Sequence, residues 1–180
     1  MKKVLLLAIV LLSQTIIAQK YFTRTGSTNF KASVEAFEAV EATNNSTSVV
    51  LKTDSGDIAA LLLIKAFRFK VALMQEHFNE NYMDSDKHPK ATFRGKIDGF
   101  NLSDIDTKKE YRIKGTLTVR GIKKDIETTG TFTKSKGKLK LNTMFSVTPQ
   151  DFDIKIPSIV RKKIAKSINV TLDYELVEKK

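Results

Sequence analysis

From Tyr111 to Phe132 the chain alternates with a period of two on both sides of a tight turn. Tyr111, Ile113, Gly115, Leu117 and Val119 are interleaved with Arg112, Lys114, Thr116 and Thr118. After Arg120-Gly121, Ile122, Ile126, Thr128, Gly130 and Phe132 share one parity, and Lys123, Asp125, Glu127 and Thr129 fall on the other. Such a pattern makes strands with one dry face and one wet face. Gly121 supplies the positive φ that a short antiparallel turn needs. The dry face must be buried, either on more protein or on a ligand.

Similar runs recur along the chain. Phe30-Ala32-Val34-Ala36, Ser48–Lys52, Ile58–Lys65, Phe67-Phe69, Ala91-Phe93-Gly95-Ile97, Leu139–Val147 and Ile168–Leu176 all read as strands. Ile58–Lys65 is almost wholly apolar, which predicts a strand buried on both faces. Asn44-Asn45-Ser46-Thr47, Asp54-Ser55-Gly56-Asp57 and Ser135-Lys136-Gly137 read as turns. One segment has helical spacing: Val71, Met74, Phe78 and Tyr82 form a single apolar stripe. The fold class is therefore all-β, an antiparallel barrel of about eight strands with one short helix. Closure removes the exposed edges that an open sheet of that size would carry. A barrel of this size is either filled by its own side chains or holds one small elongated ligand.

The start of the chain stands apart from this pattern. Lys2 and Lys3 precede the unbroken apolar run Val4–Leu12, and Ile16-Ile17-Ala18 puts a small residue before Gln19. This predicts a secretory signal peptide, residues 1–18, cleaved after Ala18. Nine residues rise only about 14 Å as a helix, too short to span a bilayer core. The remaining domain, 19–180, keeps a formal charge of +9 once Lys2 and Lys3 are removed from +11. It is expected to be exported, either periplasmic or extracellular, and monomeric or homodimeric.

Composition closes off several functions. With no cysteine there is no thiol chemistry and no Cys-ligated zinc, and two histidines make a His-rich metal site impossible. The lysines are spread over strand faces and are not interleaved with aromatics, so no nucleic-acid partner is expected. Asp84, Ser85, Asp86 and His88 crowd together before Pro89, but their spacing fits no metal motif, and such residues are the usual occupants of a turn. No catalytic residue, metal site or cofactor is assigned.

Two segments bear on binding. Phe67, Phe69, Met74, Phe78, Phe93, Ile97, Tyr111, Ile113, Leu117, Leu141, Phe145 and Phe152 are large apolar residues at inward or stripe positions. They line a tunnel if the barrel is hollow and form its core if it is not. In Ile156–Ile168, apolar residues recur every four positions beside Arg161, Lys162, Lys163 and Lys166. The plainer reading is a connector that plugs the barrel end with its lysines solvated. The alternative is a basic amphipathic turn or helix that touches a membrane surface.

Three motifs together resemble the YceI-like family of bacterial secreted lipid-binding proteins. They are Phe78-Asn79-Glu80-Asn81-Tyr82-Met83 with His88-Pro89-Lys90-Ala91-Thr92-Phe93, then Gly115-Thr116-Leu117-Thr118-Val119-Arg120-Gly121-Ile122-Lys123-Lys124, then Asp151-Phe152-Asp153-Ile154. The resemblance implies a lipocalin-like barrel with a hydrophobic tunnel for a long apolar or isoprenoid lipid, and it brings no catalytic residues. The chain departs from the family where Thr28–Val34 lacks two histidines of the first strand, and where Asp153 replaces a common glycine. The expected function is thus a binding protein that sequesters or carries such a lipid. The alternative is a solid-cored envelope structural or interaction domain without a ligand.

Overall fold

The computed structural model describes residues 19–34 and 39–179. The predicted signal peptide and Ala36 of the first strand pattern lie outside these residues. Nine strands follow in order: β1 (Lys20–Ser33), β2 (Glu41–Lys52), β3 (Asp57–Leu63), the two-residue β4 (Arg68–Phe69), β5 (Lys90–Ile97), β6 (Lys108–Val119), β7 (Ile122–Ser135), β8 (Lys138–Val147) and β9 (Ile164–Glu178). A helix, α1 (Ala72–His77), continues into a π-helical turn over Phe78–Tyr82. The hydrogen-bonded order is β1-β9-β8-β7-β6-β5-β3-β2, and β1 also pairs with β2. Eight antiparallel strands therefore close into a barrel, while β4 pairs only with the start of β2.

The β6–β7 hairpin has the register that its alternation predicts. Val119 pairs with Ile122, and twelve consecutive partners run back to Lys108 and Thr133. Arg120 and Gly121 both take positive φ, 51° and 78°. Two left-handed residues in a two-residue loop give a turn whose twist matches that of the strands.

The lumen differs between its two ends. At one end lie the β2–β3 and β7–β8 turns and the long β5–β6 loop. Here Leu51, Ile97, Tyr111, Phe132, Leu139 and Leu176 pack into one buried cluster. The β5–β6 loop seals it: Ile105 is buried, the Phe100 ring sits 5.3 Å from both Tyr111 and Phe132, and the Tyr111 hydroxyl donates to the Asn101 carbonyl at 3.0 Å. At the other end lie α1, the β6–β7 turn and the long β8–β9 connection. There the buried cluster is small, built on Ile64, Met83 and Ala91. Tyr174 marks the boundary. Its hydroxyl is 2.9 Å from that of Thr28, which is 2.8 Å from that of Thr47. Burial pushes the Tyr174 phenol up to about 12.

Three expectations need correction. Asn44–Thr47 is not a turn but part of β2, beside register shifts in its pairing with β1. Asn44 is fully buried there because its side chain donates to the Leu63 carbonyl and accepts from both the amide and the hydroxyl of Ser46. Those bonds replace the ones a turn would have provided. The β3 segment is not buried on both faces, since Leu61 and Leu63 are exposed on its outer side. The helix is shorter than its stripe, because the last turn widens to π-helical geometry. The basic Ile156–Lys166 segment runs through turns into β9, as the plainer connector reading expects.

Gly115 faces Gly95 across β5 and β6, and the Phe93 ring lies over the pair. A Cβ on Gly115 would run into the Arg94 carbonyl, the Gly95 Cα and the Phe93 ring. Gly115→Val is expected to destabilise the barrel by about 1–3 kcal/mol. The measurement is denaturant unfolding, and an unchanged midpoint would contradict this packing. Tyr174 predicts a pH effect. Its folded value exceeds the unfolded one, so the native state holds its proton where the unfolded state has lost it. Its contribution is complete below pH 10 and falls as pH rises from about 10 to about 12, by about 1.4 kcal/mol per unit. Tyr174→Phe should flatten the stability profile in that window and remove the last tyrosinate absorbance to appear in an alkaline titration.

Candidate functional site: an apolar cavity in the open half of the barrel

Beyond the level of Tyr174 the inward side chains no longer meet. They enclose a cavity of about 590 Å³, within the usual range of small-molecule sites. Each wall follows from strand alternation. β6 contributes Ile113, Leu117 and Val119, and β7 contributes Ile126 and Thr128. From β8 come Leu141, Thr143, Phe145 and Val147, and from β9 Ile164, Ile168, Val170 and Leu172. Thus the hairpin alternation does produce a lumen face, and that face meets protein at one end and open space at the other.

Aromatic rings form one side of the open end. Phe30 of β1 lies 5.2 Å from Phe67 and 5.3 Å from Phe78, and Phe69 lies 5.1 Å from Phe78. All four rings line the cavity. Edge and offset contacts of this kind hold rings in place without filling the space beside them. The stripe of α1 works as its spacing implies, for Val71, Met74, Phe78 and Tyr82 all face the cavity. Opposite the stripe, Ile156, Val160, Lys163 and Ile164 bring the β8–β9 connection to the same wall. Val71, Leu73, His77 and Lys163 are both lining and exposed, so the cavity opens between α1 and this connection. The hairpin tip braces the connection: Arg120 donates to the Asp153 carbonyl at 2.6 Å, and Lys124 pairs with Asp151 at 2.8 Å.

The buried polar groups at the cavity wall already have partners. Besides the Thr28–Thr47–Tyr174 set, Thr143 donates to the Thr129 carbonyl and Thr128 to that of Met144, each at 2.9 Å. The wall therefore makes little directional demand on an occupant and favours burial of apolar surface. The Asp84–His88 group is a turn: the Asp84 carbonyl accepts from the amides of Lys87 and His88, and its carboxylate pairs with Lys87. Among the described residues, no three His, Asp or Glu side chains are placed to hold a metal ion.

Of the twelve residues expected to line a tunnel, Phe67, Phe69, Met74, Phe78, Phe93, Ile113, Leu117, Leu141, Phe145 and Phe152 do so. Ile97 and Tyr111 do not. They belong to the packed cluster beneath the β5–β6 loop, because the lumen is filled at their level. Sequence reasoning missed Phe30 and the β9 row Ile164, Ile168, Val170 and Leu172. The alternation of Ile168–Leu176 carried that signal, but nothing in it tells which residues lie in the hollow half.

A comparison with curated protein sequences gave no match. Among solved structures, a polyisoprenoid binding domain from Saccharophagus degradans aligns with a TM-score of 0.76 at 11% identity, over 89% of this chain and 98% of that one. BcnA of Burkholderia cenocepacia aligns at 0.70 and 15% identity, over 84% and 96%. The YceI protein of Campylobacter jejuni aligns at 0.64 and 18% identity, over 80% and 87%. These likenesses are of fold. The sequence itself matches the model of the YceI-like domain over residues 15–176, nearly the whole barrel, and the chain therefore belongs to the YceI-like family.

Proposed function

We propose that this protein is exported and binds a long apolar lipid, a polyisoprenoid above all, which it sequesters or carries without transforming it. The observation that supports this most directly is the cavity, hollow over half the barrel and lined almost wholly by apolar side chains. A structural neighbour described as a polyisoprenoid binding domain shares the fold. The Lys2–Ala18 segment, with its basic start and apolar run, supports export.

Energetics favour a long chain over a short one. Each CH₂ removed from water contributes about 0.8 kcal/mol. Association costs about 4–15 kcal/mol in lost freedom. A single five-carbon unit, at about 4 kcal/mol, only reaches the bottom of that range, whereas four units, at about 16 kcal/mol, exceed all of it. Affinity should rise steeply with chain length until the cavity is full, then level off. Competition of a series of prenyl alcohols against a fluorescent isoprenoid measures this. A flat series, or no binding at all, would contradict a lipid site.

Filling the cavity supplies an independent check. Val170 lines the hollow half, whereas Leu139 is fully buried in the packed half. Val170→Trp should leave thermal stability nearly unchanged and weaken isoprenoid binding by about tenfold or more. Leu139→Trp should destabilise the fold by about 1–3 kcal/mol or more through overpacking. Equal destabilisation by the two substitutions would mean that the barrel is solid at both levels.

A further inference from the structure

The rim of the cavity carries an unusual surface. Ile159, at the tip of the β8–β9 connection, is 87% exposed, and Leu73 of α1 is 57% exposed. Val71, next to Leu73, is exposed as well. By contrast, among the described residues the connections at the packed end, 53–56, 98–107 and 136–137, carry no large exposed apolar residue. Val50 and Val177 are exposed on strands near the packed end, but among the described connections those with large apolar side chains left in water lie at the cavity mouth, as at a contact surface.

Charge accompanies them. Lys155, Arg161, Lys162, Lys163 and Lys166 lie between residues 155 and 166, with no carboxylate among them. All five are exposed, and none takes part in the ion pairs formed among the described residues. Elsewhere on the barrel some strand lysines pair across the sheet, as Lys138 does with Glu175 and Lys140 with Asp173, while others such as Lys96 and Lys108 form no ion pair among the described residues. The basic connection differs in holding five cations within twelve residues and no carboxylate. Glu76 on α1 is the nearest acidic counterweight in sequence to Leu73. An apolar tip flanked by cations that form no ion pair among the described residues has the composition of a segment that inserts at the boundary of an anionic bilayer. The turn geometry suits this, since Ile159 projects between Ser158 and Val160 while Val160 faces the cavity.

We infer that this rim, Ile159 with Arg161, Lys162 and Lys166 on the connection and Leu73 on α1, docks on the anionic surface of a lipid bilayer. Docking there sets the opening of the cavity against the membrane, so an apolar chain passes from bilayer to barrel without crossing water. That purpose rests on the lipid reading of the cavity, but the docking itself does not.

The test uses the chain from Gln19 onward, which contains every strand of the barrel and lacks the apolar run Val4–Leu12 that would itself bind lipid. Its sedimentation with vesicles of phosphatidylglycerol and phosphatidylethanolamine is compared with that on pure phosphatidylcholine. The expected result is binding to the anionic vesicles that weakens as salt rises. Ile159→Glu, and separately Arg161→Glu with Lys162→Glu, should each lower the partition by about tenfold or more. None of these three residues lines the cavity, so binding of a fluorescent isoprenoid in detergent should stay within twofold of the parent chain. Circular dichroism confirms that the variants fold. Absence of vesicle binding, equal binding to neutral vesicles, or variants that bind like the parent would each overturn the docking surface. Loss of isoprenoid binding by the parent chain would instead count against the lipid site alone.

Discussion

β1 is hydrogen-bonded along one edge to β2 and along the other to β9, which joins the two ends of the sheet. Without that double pairing, β2 and β9 would each present an unpaired edge, and the inward row of every strand would lose its opposite wall. Closure also fixes the enclosed volume. The side chains fill that volume at one end and leave it open at the other. At the packed end Phe132, Leu139 and Leu176 are almost wholly inaccessible, with the Phe100 ring and Ile105 pressed on them from the β5–β6 loop. This half supplies most of the apolar burial that holds the fold. The open half can remain hollow because it does not have to.

The division also separates stability from binding. A cavity leaves its lining side chains without partners, which costs stability in proportion to the space left empty. The packed half offsets that cost at a distance. The Tyr174–Thr28–Thr47 set lies between the halves and keeps polar groups satisfied where the packing ends. At the mouth, the Arg120 and Lys124 contacts tie the hairpin tip to the 149–153 turn, so the wall around the opening is braced from outside the lumen.

Much of this was legible in the sequence because strand alternation reports direction. The β6–β7 hairpin, the β5, β8 and β9 rows and the stripe of α1 all face inward as their spacing implies. Alternation does not report depth, which is why Ile97 and Tyr111 could not be told apart from Phe93 and Ile113. The family motifs added what the period could not, a lumen that is partly hollow. Asp153 illustrates how local geometry explains a motif: it sits at φ 51° and ψ 36°, a left-handed conformation that glycine adopts without strain. Asn44–Thr47 misled because turn-forming side chains also satisfy the backbone at an irregularity inside a strand. The β5–β6 loop left no periodic signal, since its residues cap the barrel through single contacts.

The proposed occupant of the open half of the barrel is a long apolar chain. Mass spectrometry of the protein purified without detergent from cells that make it, in its native state and then after organic extraction, tests this most directly. A single class of long-chain lipid is expected at close to one molecule per barrel, displaced by Val170→Trp. Protein that carries no lipid and takes up none when an isoprenoid is supplied would contradict it.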